Sequence, residues 1–273
     1  MKMENMLLMP SIALPTGPYD WHPERHPRAL FEARLARFRG VMAARGVTHA
    51  VVHGNEFDHA GLAWVTHFTP KLGPAYALIS GASKPRLHFA GGPGMKPSAQ
   101  RLTWIEDVSA LRGIGADIGR WLNDLGVGAD QARIGLYEGA AMRRRDWGAV
   151  NEAGGRGGGV ALDAAVDVVR AQASARDKEH AARAGRILEL AVETMRGLAR
   201  PGVDLRAAAI EMERAVYAAG AQDVRVRMGR RPGGLPVTLP DEPLLMTGPT
   251  AVAIAVRHSG AWAETHIVLA LGR

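Results

Sequence analysis

The sequence predicts an α/β chain in two parts: a mixed-sheet domain, then two helices and an antiparallel sheet. Three observations lead there. Helix-period and strand-like segments alternate over residues 29–165, the pattern of helices layered on a sheet. The run GGRGGG at 154–159 interrupts that alternation and reads as a linker. Two long amphipathic stretches follow, and after them only strand and turn signals. The expected division is an N-terminal arm over 1–28, a first domain over 29–160 and a second over 161–273.

The arm, with LPTGPYDWHPERHP, is irregular but carries Leu7, Leu8, Ile12 and Trp21, which are expected to pack. Residues 29–47 form a helix, because Leu30, Leu35, Phe38 and Met42 recur at helical spacing and Gly46 stops it. THAVVHG is a strand, and GNEFDHAG a turn leading into the short apolar segment LAWVTHF. AYALISG and PRLHFAG are paired strands about the turn GASK. Residues 110–127 are an amphipathic helix, ARIGLYEG a strand, and AAMRRRDWGAVNEAG a helix. In the second part, residues 175–198 form a long helix with Ala182, Ile187, Leu190, Ala191 and Met195 on one face. RPGVD breaks it, and a second helix over 204–220 starts at an N-capping Asp204 and stops at Gly220. DVRVRMG, a Pro/Gly-rich bend at 231–243, TAVAIAVRHSG and AWAETHIVLALG complete the chain as strands and turns.

Composition narrows the function classes. With 273 residues, 47% hydrophobic and 22% charged, the chain has ordinary globular values and enough length for a sizeable core. No apolar run reaches the roughly 18 residues that a membrane span needs, and Glu4, Asn5 and Pro10 break the apolar start, against a signal peptide. There is no cysteine, which excludes disulfides, thiolate metal sites and thiol chemistry, and suits a cytoplasmic protein. The net charge of +7 comes mainly from arginines interleaved with acids on helix-like stretches, and aromatics are 5%, so nucleic-acid binding is not expected. The arginine run 143–145 reads as solvated surface, and GRGGG lacks the Lys-Ser/Thr of a phosphate loop.

The order of elements resembles the creatinase/prolidase/aminopeptidase P family over residues 29–273. RLARFRGVMAARGVTHAVV followed by NEFDHAGLAWVTHF is similar to the first helix and strand of that family. VVRAQASARDKEHAARAGRILELAVETMRGLARPGVD is similar to its long helix and following turn, and DLRAAAIEMERAVYAAGA fits the next helix. The fold this resemblance implies is α/β: a creatinase-like N-terminal α/β domain followed by a partial (half) pita-bread α+β domain.

The resemblance also implies what a metal site would need. Metal-dependent members hold two divalent ions with an Asp on one strand of a hairpin, an Asp eleven positions later, and a His and two Glu from further along the chain. Hard or borderline cations want several carboxylates held rigidly, with open positions for water. AVRHSGAWAETH aligns with that hairpin. Glu264 falls at the second Asp position, and eleven residues earlier stands Ala253, between Val252 and Ile254. The remaining ligands would fall beyond Arg273, and the stretch 224–257 holds no histidine to contact substrate. No metal and no cofactor are therefore expected. Creatinase-like members work without metal, and their hairpin acid falls where this chain has His266.

Candidate ligand-binding residues are Glu264 and His266, which share a strand face, together with His258 at the turn and His67 in the first part. Two alternatives stay open: a polar pocket, or a surface pair on an ordinary hairpin. His53, His59 and His67 match no metal spacing. The function expected is that of a catalytically degenerate member acting as a binding, structural or regulatory subunit. The alternative is a hydrolase of a C–N bond in a small substrate, metal-independent or assembled across an interface. A small molecule or peptide is the expected ligand. Strands such as TAVAIAV and HIVLALG would leave open edges, so a homodimer or a hetero-oligomer with a complete homologue is expected.

Overall fold

A computed structural model describes residues 20–154, 158–229, 234–238 and 242–270. They form two compact units, one from Asp20 to Gln172 and one from Ala173 onward.

The first unit is a six-stranded mixed sheet with helices. Its elements are α1 (Arg28–Ala44), β1 (His49–Gly54), α2 (Ala60–Thr66), β2 (Ala75–Ser80), β3 (Arg86–Phe89), α3 (Lys96–Arg101), β4 (Asp107–Ala110), α4 (Ile114–Asp124), β5 (Ile134–Tyr137), α5 (Arg144–Ala153), β6 (Val160–Ala161) and α6 (Asp163–Arg170). The strand order is β4-β3-β2-β1-β5-β6. β1–β2 and β2–β3 are antiparallel, while β3–β4, β1–β5 and β5–β6 are parallel. Both faces of β1 and β2 are buried, which is why AVV and YALI read as continuous apolar runs. Trp121 of α4 is fully buried among Val51, Tyr76, Leu78, Ile118 and Ile134.

Three features add to the expectations or differ from them. The short apolar segment LAWVTHF begins inside the helix α2, which is entered through an Asn55 side chain that accepts from the Phe57 and Asp58 amides, both at 2.8 Å. The face of α1 includes a charge: Arg34 is buried, donates to the Trp64 carbonyl at 2.9 Å and lies over the Phe31 ring. The first unit continues past residue 160. β6 pairs with β5, and α6 buries Val166 and holds Tyr137 through Asp167 at 2.8 Å. The compact units therefore part at Gln172/Ala173, beyond the glycine-rich run. Of the arm, Met1–Tyr19 lie outside the described residues; Trp21 packs, its amide on the Arg101 carbonyl at 2.7 Å.

The second unit comprises α7 (Ala175–Leu198), α8 (Leu205–Ala218), β7 (Asp223–Gly229), β8 (Pro236–Thr238), β9 (Thr250–His258) and β10 (Ala261–Leu269). Part of the Pro/Gly-rich bend, 231–233 and 239–241, lies outside the described residues. Ser174 and Asp177 form a reciprocal capping box that starts α7. Its buried face is Ala184, Ile187, Ala191 and Met195, spaced three, four and four; Ala182 is exposed, being five residues before Ile187. Asp204 caps α8 as expected, accepting from Arg206 N, and also accepts from the Leu244 amide at 3.0 Å. The sheet order is β10-β9-β7-β8, with every pairing antiparallel. Among the described residues no helix is long and apolar enough to cross a membrane.

Candidate functional site

The two faces of the second sheet have opposite characters, because side chains alternate along each strand. Val252, Ile254 and Val256 are fully buried and join Ile187, Met195, Met212 and Leu269 in one core. The other face carries Arg225 and Arg227 on β7, Ala251, Ala253 and Ala255 on β9, and Trp262, Glu264, His266 and Val268 on β10. This is the outer face. The turn between β9 and β10 is Ser259-Gly260, both at positive φ (50° and 84°), a two-residue turn matched to strand twist.

Register decides which side chains meet. Ala253 lies opposite Arg227 on one side and His266 on the other; Ala255 lies opposite Arg225 and Glu264. The alanine row leaves a low floor between two rows of long side chains. Glu264 Oε1 reaches across it to 3.6 Å from Arg227 Nη2, and stands 3.8 Å from His266 Nε2. Arg225 lies 4.5 Å over the Trp262 ring. Glu264, Arg227 and His266 are all about half exposed or more, so their attractions act in high dielectric.

Glu264 and His266 therefore share a face and touch. His258 does not join them. It sits on the helix-facing side, where its Nδ1–H donates to the Gly220 carbonyl at 2.9 Å and its ring stands 6.1 Å from His180. His67 belongs to the first unit. It ends α2 in the left-handed conformation (φ 65°), donates from Nδ1 to the Leu102 carbonyl at 3.0 Å and packs 4.5 Å from His26. His53 and His59 make separate bonds, to the Glu138 and Asn55 carbonyls at 3.0 and 3.1 Å. Burial holds His53 below the ordinary imidazole range. Among the described residues no three His, Asp or Glu side chains lie close enough together to hold a metal ion.

A second polar concentration escaped sequence reading. In the first unit, a cavity of about 490 Å³ is lined by charged side chains of β3, β4, α4 and the start of α3, with His88 at its floor. The signal available was period-two polarity in two short strands, Arg86 and His88 on β3 and Asp107 and Ser109 on β4, which register places side by side.

No protein-family model and no curated protein matches the chain. Solved structures do. The X-Pro aminopeptidase of Thermotoga maritima superposes with a TM-score of 0.71 at 18% identity, over 88% of this chain and 65% of that one. The prolidase of Pyrococcus horikoshii gives 0.68 at 12% identity, with the same coverages. The Xaa-Pro dipeptidase of Bacillus anthracis gives 0.64 at 17% identity, over 89% of this chain and 66% of that one. The chain thus spans about 65% of the length of these enzymes. It has the fold of the creatinase/prolidase/aminopeptidase P proteins, an α/β domain followed by part of a pita-bread domain.

Proposed function

We propose that this chain acts by binding rather than by catalysis, as a degenerate prolidase-fold subunit whose outer sheet face is the binding surface. The observation that carries the reading is the position of Glu264. It stands opposite a row of alanines, with Ala253 where the resemblance calls for a carboxylate, and it is already engaged by Arg227 and His266. One exposed carboxylate so engaged does not pin a catalytic dication. The same face offers Arg225 stacked on Trp262, a flat cationic-aromatic surface of the kind enriched at interfaces. β10 is an edge strand of nine residues with Trp262 and Val268 exposed, a template for pairing. The partner proposed is a second copy of the chain or a complete homologue.

The test is a Xaa-Pro dipeptide hydrolysis assay with Mn²⁺, Co²⁺ or Zn²⁺ added, run beside a measurement of mass in solution. The expected result is no turnover and a mass of at least twice 29.2 kDa, or assembly with a co-expressed homologue. Metal-dependent hydrolysis that disappears in Glu264→Gln would overturn the reading and favour a hydrolase assembled across an interface.

A further inference from the structure

The cavity in the first unit is built by regular structure on three sides. Arg86 and His88 rise from β3 and Asp107 and Ser109 from β4, all on one sheet face by register. Asp117, Arg120 and Asp124 come from one side of α4, while Ile118, Trp121 and Leu122 on its other side enter the core. Lys96, at the start of α3, and Arg112, just before α4, stand at the rim.

The charges within it are unequally satisfied. Arg86 is held between Asp107 (3.1 Å) and Asp124 (2.5 Å). Asp117, 1% exposed, pairs with Arg120 and accepts from the amides of Arg112 and Gly113 at 3.1 and 3.3 Å. All three acids are thus committed. Lys96 and Arg112 are exposed, and among the described residues neither cationic head has an acid partner. At the floor, His88 is 8% exposed, and its Nδ1 has no hydrogen-bond partner, standing 3.6 Å from Asp117 Oδ2. A buried polar atom left without a partner is costly and uncommon, and asks for one.

We propose that this cavity binds a small oxyanion, a carboxylate or phosphate group, with Lys96 and Arg112 as its charge partners and His88 and the Ser109 hydroxyl as further hydrogen-bond donors. Arg86 and Arg120 fall one charge short of the three acids they pair with, and Lys96 and Arg112, which have no acid partner among the described residues, turn the balance of the lining positive, which suits an anion. A volume of about 490 Å³ accommodates a metabolite-sized molecule rather than a bare ion. The site is separate from the outer face of the second sheet and does not depend on the binding function proposed for that face.

Binding has a signature that a merely structural cluster lacks. Burial holds the His88 imidazole below its ordinary pKa, with Asp117 and Asp107 pulling it up and Arg120 and Arg86 pushing it down. An anion beside it adds to the upward pull. The experiment is calorimetric titration of the full chain with inorganic phosphate and, separately, with succinate, followed by NMR titration of the His88 ring protons with and without the binding anion. The expected result is one site for at least one probe, weakened about tenfold or more in Lys96→Ala and in Arg112→Ala, with His88 titrating at higher pH when the site is filled. Binding of phosphate alone assigns a phosphate-bearing ligand, and of succinate alone a carboxylate. Both variants lie at exposed positions and leave the fold intact. Absence of binding by either probe, binding undiminished in both variants, or an unmoved His88 titration at saturation would each overturn the proposal.

Discussion

Ala253→Asp is the substitution that most directly questions the binding reading. Ala253 is 3% exposed, with Arg227 and His266 as its register partners. Cross-strand partners of this kind have Cβ atoms about 5 Å apart, and diagonal neighbours about 7 Å. A carboxylate at 253 would therefore stand beside His266 and Arg227, with Glu264 on the diagonal. Desolvating it costs about 1–3 kcal/mol, and the attraction of half-exposed Arg227 returns less than about 1 kcal/mol. A net loss of about 1–2 kcal/mol lowers the melting temperature of a unit this size by roughly 4–16 °C. The new carboxylate, Glu264 and His266 together make a three-ligand set for a hard divalent cation. Mn²⁺ at about a hundredfold excess over its dissociation constant would stabilise by about 2.7 kcal/mol, enough to reverse the loss. The assay is thermal unfolding of wild type and variant with and without Mn²⁺. The expected pattern is a Mn²⁺-dependent rise in the variant and none in the wild type. An equal rise in the wild type would show that the face already holds metal and refute the reasoning; no rise in the variant would refute the geometry.

Other outcomes follow from the same contacts. Glu264→Gln, which removes an exposed ion pair, is expected to change the unfolding free energy in urea by less than about 1 kcal/mol; a loss above about 2 would make the Glu264–Arg227–His266 group a structural element. Met212→Ala, in the fully buried face of α8, should cost about 2–5 kcal/mol in the same measurement, and a near-zero cost would contradict the core assignment. Ser174→Ala removes half of the α7 capping box and should cost about 1 kcal/mol, with Asp177→Ala giving little further loss on top of it. Burial depresses His49, His53 and His88, so the unfolded chain, titrating near pH 6.5, binds more protons than the folded one. Their contribution is fully present above about pH 6.5 and is lost as pH falls toward the folded values. Glu138, raised by burial, acts in the opposite sense, but Arg170 pulls it back. Melting temperature should therefore fall between about pH 7 and 5.5, and a rise over that interval would contradict the burial of these imidazoles.

What could be read from the sequence follows the range of the interactions involved. α7 was legible from the helical spacing of Ile187, Ala191 and Met195, and α8 because its start signal is local, Asp204 closing on Arg206 within two residues. The hairpin β9–β10 was legible for the same reason, since Ser259-Gly260 sets the register and the register sets the face shared by Glu264 and His266. α2 was harder, because seven residues are too few for helical periodicity to separate from a short buried strand. The parting of the units at Gln172 was masked by glycines that look like a linker, while the bonds that tie α6 to Tyr137 span about thirty residues.

The cavity around His88 lies at the far end of this scale. Its members run from residue 86 to 124, no two of them form a motif, and each alone reads in the sequence as an ordinary polar residue. Only the parallel pairing of β3 with β4 brings Arg86 beside Asp107 and His88 beside Ser109, and only the apolar side of α4, anchored by Trp121, turns Asp117 and Arg120 toward them. The core thus selects which polar side chains converge, although it shares no chemistry with them. Had α4 been rotated by one residue, Asp117 would have lost its hold on the Arg112 and Gly113 amides, and Lys96 and Arg112 would have remained two unremarkable surface cations. A Trp121→Ala variant makes that dependence measurable. It should cost about 3–5 kcal/mol, and at temperatures where it stays folded it should weaken oxyanion binding although Trp121 touches no ligand. Unchanged binding in a folded Trp121→Ala protein would mean that the charges alone, and not their placement by α4, define the site.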